Sequence, residues 1–449
     1  MKKQKVNYIC SSCGFISVRW IGKCPECNRW DSFIEEAVEK TTAKHAGLSP
    51  SATPLKLHDI TASSSNRMKT GIGEFDRVLG GGLMPGSVTL LGGDPGIGKS
   101  TLVLQVAANI TSKVLYVSGE ESGEQIKLRA NRLHVKSEEL LFLPETELHT
   151  ILSVIKQESP SLVIIDSIQT IYDANLENSP GSLTQLRETT SSLMEETKKN
   201  GFATIIIGHI TKEGTLAGPK ILEHIVDTVI MFEGETSHAY RILRAQKNRF
   251  GSTNEIGVFE MHDSGLREVS NPSELFIGER KNNISGSVIS ASIEGSRPLL
   301  IEVQALVTPS HFGNPQRVSN GIDYRRLSIL LAVIEKRNNN RLSAANVFLN
   351  ITGGVRIEEP AIDLPVCCAI ISNLLEKNID PTMVIVGEVG LGGEIRSVSF
   401  PEKRIQEAEK MGFKKMILPL QNLRSMKYKG SMKLIGVEYL NEAADMCLL

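Results

Sequence analysis

The sequence predicts an α/β protein organised around a parallel sheet, and three observations carry that expectation. Apolar runs of strand length alternate with helical stretches between residues 87 and 232, as in a sheet covered on both faces. One of those runs leads directly into Gly93-Asp94-Pro95-Gly96-Ile97-Gly98-Lys99-Ser100, a complete G-x-x-x-x-G-K-[ST] phosphate loop. The chain has 449 residues, too many for one core, so two or three domains are expected.

Composition narrows the classes. Hydrophobic content is 41% and charged content 22%, ordinary for a soluble globular protein. The net charge is −1, so any nucleic-acid surface must be a local patch. No apolar run reaches the length needed to span a bilayer. The basic Met1-Lys2-Lys3-Gln4-Lys5 start has no apolar signal core behind it. The expected location is the cytoplasm, with no membrane partner.

The first element is a metal knuckle, expected over residues 1–39. Cys10, Cys13, Cys24 and Cys27 form two C-x₂-C pairs, the tetrahedral thiolate set that structural Zn²⁺ prefers. Two disulfides or a redox pair are the alternatives; a cytosolic setting opposes the first and the doubled motif the second. A segment this short cannot bury enough surface to fold alone, so metal would supply the folding energy. Trp20, Trp30 and Phe33 either pack around the metal or form an exposed contact surface. Residues 40–66, rich in Thr, Ala, Ser and Pro, read as a linker.

The second element, residues 67–273, is a nucleotide engine. Ser87–Leu91 reads as a strand and Leu102–Ala108 as a helix, so the glycine loop between them forms a phosphate cradle at a helix N-terminus. Gly93, Asp94, Pro95, Gly96, Ile97, Gly98, Lys99, Ser100 and Thr101 are the expected ATP-binding residues. Lys99 reaches the β- and γ-phosphates, and Ser100 holds Mg²⁺. The run Leu162-Val163-Ile164-Ile165-Asp166 has the Walker B form, and Asp166 is the second Mg²⁺ residue. Glu120, or failing it Glu121, is expected to polarise the attacking water; the other reading is an acidic residue at a helix start. The strand Ala203–His209 ends in a histidine that either senses the γ-phosphate or is merely satisfied at the strand end.

Two further motifs make the reading specific. Thr70–Leu83, ahead of the phosphate loop, resembles the entry to RecA-like ATPase cores. Lys247-Asn248-Arg249-Phe250-Gly251 is the signature of the bacterial RadA (Sms) DNA recombination and repair family, which the chain resembles over essentially its whole length. The resemblance implies a DNA-dependent ATPase acting as a closed ring, by expectation a hexamer. Such a motor drives branch migration on single-stranded and branched DNA, with a RecA-type recombinase as partner. It implies that Lys247 and Arg249 reach the neighbouring subunit's nucleotide. The loop Thr211–Lys220, with Lys212 and Lys220, stands where RecA-like motors line the central channel; an ordinary surface loop is the alternative. A nucleotide-gated adaptor that loads other recombination proteins, an ATP-dependent protease and a KaiC-like switch are the rival functions.

The third element, residues 274–449, alternates short apolar runs with helices and resembles the proteolytic α+β domain of Lon proteases. The matched segments are Gly353–Ala361 and Val386–Arg396. The Lon pattern places its serine after a proline, but here Pro360 is followed by Ala361. Its lysine aligns with Glu402, next to Lys403. A Ser–Lys hydrolase needs both a hydroxyl and an amine, so a binding or assembly platform is expected instead. Arg317, Arg325, Arg326, Lys336, Arg337 and Arg341 either give it a basic face for DNA, with Arg325 and Arg326 leading, or are exposed helix charge.

Overall fold

The computed structural model describes residues 6–10, 16–17, 19–26, 29–37, 67–209, 219–234, 240–277, 284–310, 315–337 and 342–449. The linker at 40–66, Cys13, Cys27, Lys212 and Arg341 therefore lie outside the described residues. Two compact units are present. One comprises Met1–Glu233, Leu243–Thr253 and Met261–Glu268; the other comprises Gly234–Ile242, Asn254–Glu260 and Val269–Leu449. The chain thus passes between units more than once before residue 274, the single boundary placed there from sequence.

At the front of the first unit, β1 (Val6–Cys10) pairs antiparallel with β2 (Ile16–Ser17) and β3 (Phe33–Ala37). A larger α/β core follows in strict alternation: α1 (Gly73–Leu79), β4 (Val88–Gly93), α2 (Lys99–Asn109), β5 (Val114–Ser118), α3 (Gly123–Arg132) and β6 (Leu140–Leu143). Then come α4 (Leu148–Glu158), β7 (Leu162–Asp166), α5 (Leu183–Asn200), β8 (Ala203–His209), α6 (Pro219–Ile225) and β9 (Thr228–Glu233). β10 (Tyr240–Asn248), β11 (Ile256–His262) and β12 (Gly265–Glu268) complete a nine-stranded sheet ordered β12-β11-β10-β9-β4-β8-β7-β5-β6. All pairings from β9 to β6 are parallel. The strands β4, β5 and β7 are buried along their length. That is why they read in sequence as unbroken apolar runs rather than as alternations.

The second unit contains α7 (Pro272–Ile277), β13 (Ser287–Glu294), β14 (Arg297–Pro309), β15 (Arg317–Asn320), α8 (Tyr324–Arg337), β16 (Ala345–Ile351) and α9 (Asp363–Leu374). It continues through β17 (Met383–Ile385), the short ribbon β18 (Glu388–Val389) and β19 (Ile395–Arg396), and α10 (Pro401–Lys410). It ends with β20 (Lys415–Pro419), α11 (Leu420–Ser425), β21 (Lys433–Val437) and α12 (Leu440–Cys447). Its sheet runs β15-β16-β14-β13-β17-β20-β21, antiparallel in the middle and parallel from β13 to β21. The region alternates short strands with helices, as expected. Pro365 falls in the first turn of α9, where the missing N–H is not needed. Cys367, Cys368 and Cys447 are buried free thiols.

Candidate functional site: a phosphate loop at the carboxyl edge of the parallel sheet

Parallel register sets the site. Gly93 of β4 pairs with His209 of β8, and Ser118 of β5 pairs with Asp166 of β7. The loops leaving these four strands therefore open on one edge, where ligands of such sheets bind. The side chain of His209 lies outside the described residues.

The turn after β4 depends on glycine. Gly93 has φ 148° and Gly98 has φ 117°, a region that L side chains avoid. A Cβ on Gly93 would stand 2.8 Å from the Phe232 carbonyl oxygen. Pro95 and Gly96 face solvent, and Ser100 and Thr101 are half-buried in the first turn of α2. Lys99 is 4% exposed. Its ammonium donates to the carbonyls of Gly93 at 2.8 Å and Asp94 at 2.9 Å. Burial lowers its pKa, opposed by the carboxylates of Asp166, Asp94 and Glu120. The lysine is a desolvated cation folded back onto its own loop.

Asp166 closes the buried strand β7 and is 4% exposed. The fully buried Tyr116, on the neighbouring strand, donates its hydroxyl to Asp166 Oδ2 at 2.5 Å. Burial pushes the Tyr116 phenol well up, and the adjacent carboxylate adds to it, so it stays a donor at neutral pH. The Asp166–Ser167 peptide is cis. Ser167 Oγ donates to Glu120 Oε1. Glu121 is paired with Arg129, and the cap of α3 is Ser122, reciprocated by Gln125. Of the two acids, Glu120 is therefore the one held beside Asp166, and neither caps the helix. Asp166 and Ser100 supply an oxygen donor set that suits Mg²⁺.

Lys247 and Arg249 lie on and just beyond β10. The Lys247 ammonium donates to the carbonyls of Glu223 (2.6 Å), Val226 (2.8 Å) and His224 (3.4 Å), so its three N–H groups close the end of α6. Burial lowers its pKa, and Arg249 adds to that. Arg249 Nη1 holds Asp227 at 3.2 Å, and Asp227, 2% exposed, also accepts from the Val88 N–H. Both cations are thus engaged within their own chain. Lys220 falls in α6, its side chain outside the described residues.

At the front, Cys10 and Cys24 are fully buried, and Cys10 Sγ lies 3.3 Å from Ser32 Oγ. Two buried thiols in this small sheet and its turn suit a structural Zn²⁺ site, for which Cys13 and Cys27 are the other ligands expected from sequence. Trp20 and Trp30 are both exposed.

In the second unit, Ala361 is buried and Glu402 is exposed. Lys403 donates to the Ser296 carbonyl at 3.3 Å. Its neighbour Arg404 is 0% exposed and forms an ion pair with Glu359. Arg326 grips the buried Asp363 in a bidentate pair, its Nε at 2.8 Å from Oδ1. Arg317 donates to the carbonyls of Leu342 and Ala345. Arg325, Lys336 and Arg337 are the exposed cations of α8, so Arg325, rather than Arg326, has its charge available to a partner.

Three family models match the chain: an AAA domain over residues 51–215, a rubredoxin metal binding domain over 8–35, and the subunit ChlI of Mg-chelatase over 325–422. The DNA repair protein RadA of Bacillus subtilis is 49% identical, covering 99% of this chain and 98% of its own. That of Halalkalibacterium halodurans is 47% identical over the full length of both chains. The chain belongs to the RadA family of DNA repair proteins. The RadA of Listeria monocytogenes, 48% identical over 99% of each chain, agrees. With its AAA domain the chain is an ATP-hydrolysing enzyme, built from a front metal-binding ribbon, a RecA-like core and a Lon-like tail. Among the described residues no helix is long and apolar enough to cross a membrane.

Proposed function

We propose that the chain is a DNA-dependent ATPase that works as a ring, by expectation a hexamer, and drives branch migration of recombination intermediates in the cytoplasm. The observation that carries the proposal is the convergence of a desolvated Lys99, Asp166 and Glu120 on one edge of the sheet. In this reading the backbone N–H groups of residue 94 and residues 96–101 hold the triphosphate, and Lys99 stabilises charge on the transferring phosphoryl group. Ser100 and Asp166 hold Mg²⁺, which supplies further charge neutralisation when bound. Tyr116 fixes the rotamer of Asp166. Glu120, steadied by Ser167, orients the attacking water for in-line displacement.

Arg249 and Lys247 are proposed to act on the neighbouring subunit's nucleotide. Each would have to leave an internal partner first, Asp227 for Arg249 and the end of α6 for Lys247. Such an exchange would bear on α6, at whose start Lys220 lies, and Lys220 and Lys212, earlier in sequence, are proposed to track the DNA backbone. Arg325 is proposed to add a DNA contact in the tail. Single-stranded and branched DNA, and a RecA-type recombinase, are the proposed partners. The tail is proposed to be non-proteolytic, since Ala361 offers no attacking oxygen.

The test is ATP turnover by the purified chain with and without single-stranded DNA, alongside Lys99→Ala. Stimulation by DNA that Lys99→Ala abolishes supports the reading. Turnover indifferent to DNA, or equal in the variant, refutes it.

A further inference from the structure

Trp20 and Trp30 are the chain's two tryptophans. They are 55% and 71% exposed, while Cys10, Cys24 and Ser32 of the same module are buried. A module of about 30 residues has little apolar surface to spare, yet this one leaves its two largest apolar side chains in water. The two indoles meet at Gly22: Trp20 Cη2 and Trp30 Cζ3 lie 3.5 and 3.7 Å from the point a Cβ on Gly22 would occupy. A bridge between Lys23 and Trp30 ties the two strands of the turn together, and Lys23 Nζ stands 5.8 Å from the Trp30 ring centre. Arg19 and Arg29 are also exposed, as are the carboxylates Glu26 and Asp31. The patch is therefore two exposed indoles, Trp30 with Lys23 over its ring, in a short module that also exposes two arginines and two acids.

We infer that this patch is a stacking platform for single-stranded DNA, in which Trp20 and Trp30 receive unstacked bases and Arg19, Lys23 and Arg29 lie along the phosphates. Aromatic faces with interleaved cations bind single strands without sequence preference, because every base has a π-face. Paired duplex keeps its base faces stacked on one another and offers nothing to the indoles. The inference rests on the reading that the chain acts on DNA, and adds a second, front-end contact to it.

The chain itself supplies the readout, since both tryptophans are in the patch. The zinc-loaded full-length chain, without nucleotide, is titrated with an oligo-dT strand while tryptophan emission and the anisotropy of a dye on the strand are followed together. The platform predicts quenching in step with binding, and weak, unquenched binding of an abasic strand of equal charge. Trp20→Ala and Trp30→Ala should each weaken oligo-dT binding about ten-fold, and Trp30→Phe should recover most of that. Zinc content and DNA-free ATP turnover should be unchanged in all three. Binding seen by anisotropy with unmoved emission overturns the platform and leaves the DNA-motor reading standing. So does equal quenching by the abasic strand or by duplex, or emission that responds only to an added recombinase protein. No binding of any DNA overturns both.

Discussion

Arg404→Met is the sharpest test of how the tail is held together. Arg404 is fully buried on α10. It donates to both carboxylate oxygens of Glu359, to the Ala291 carbonyl, and to the Ser399 carbonyl at 2.9 Å. Glu359 also accepts from the Ile293 N–H at 2.7 Å and Ser292 Oγ at 3.0 Å. It stands two residues before Ala361. Methionine keeps the stem's volume but strands a mostly buried carboxylate and two carbonyls. Breaking one side of such a pair costs about 3–5 kcal/mol, which for a unit of this size lowers its melting temperature by roughly 10 °C. Replacing both partners, Glu359→Leu with Arg404→Met, should return the part of the loss due to the stranded carboxylate, because it removes the uncompensated charge, while the Ala291 and Ser399 carbonyls and the Ile293 N–H stay unpaired. Both tryptophans lie in the front ribbon, so the assay is far-UV circular dichroism on heating, with hydrogen exchange of β13 and α10 to locate the loss. Nucleotide binding at the phosphate loop should be unaffected. A single variant that melts within about 2 °C of the parent, or a double variant as damaged as the single, refutes the argument.

Three other expectations are open to direct test. Burial raises the Asp380 carboxyl, but Lys415 at 2.6 Å and the Thr382 donors outweigh it and bring it down to about 2 from the unfolded 3.8. The pair's contribution is full above the unfolded value and is lost as pH falls through the folded one; Lys415→Met should therefore flatten the acid side of the stability profile in urea unfolding, and an unchanged slope contradicts this. Cys24→Ser should release about one zinc per chain and unfold the front ribbon while nucleotide binding persists, as metal analysis and a fluorescent nucleotide will show. Arg249→Ala should slow turnover with nucleotide affinity largely kept, and mixing it with Lys99→Ala should restore some activity; co-assembly without rescue counts against action on a neighbour.

The sheet and the phosphate loop were legible because buried parallel strands appear as unbroken apolar runs and because the loop's glycines and lysine are fixed by phosphate geometry. The residues that complete the site were not, since their roles depend on register. Tyr116 gave a faint signal, a hydroxyl within Val114–Ser118, but only the pairing of β5 with β7 turns it towards Asp166. Asp227 reads as a strand-start acid, and its hold on Arg249 and Val88 appears only in three dimensions. In the tail, charge in sequence suggested a basic face, yet Arg317 and Arg326 turn inward to carbonyls and to Asp363. Sequence shows which cations exist, and the fold decides which remain available.

The central claim is that ATP chemistry at Lys99, Glu120 and Asp166 moves DNA strands. The most direct measurement is strand displacement on a forked or three-stranded DNA substrate by the full-length chain with ATP and Mg²⁺. The account predicts displacement by the parent and none by Lys99→Ala, with both proteins still binding the DNA. Equal displacement by the two, or ATP turnover by the parent with no displacement from any branched substrate, would contradict it.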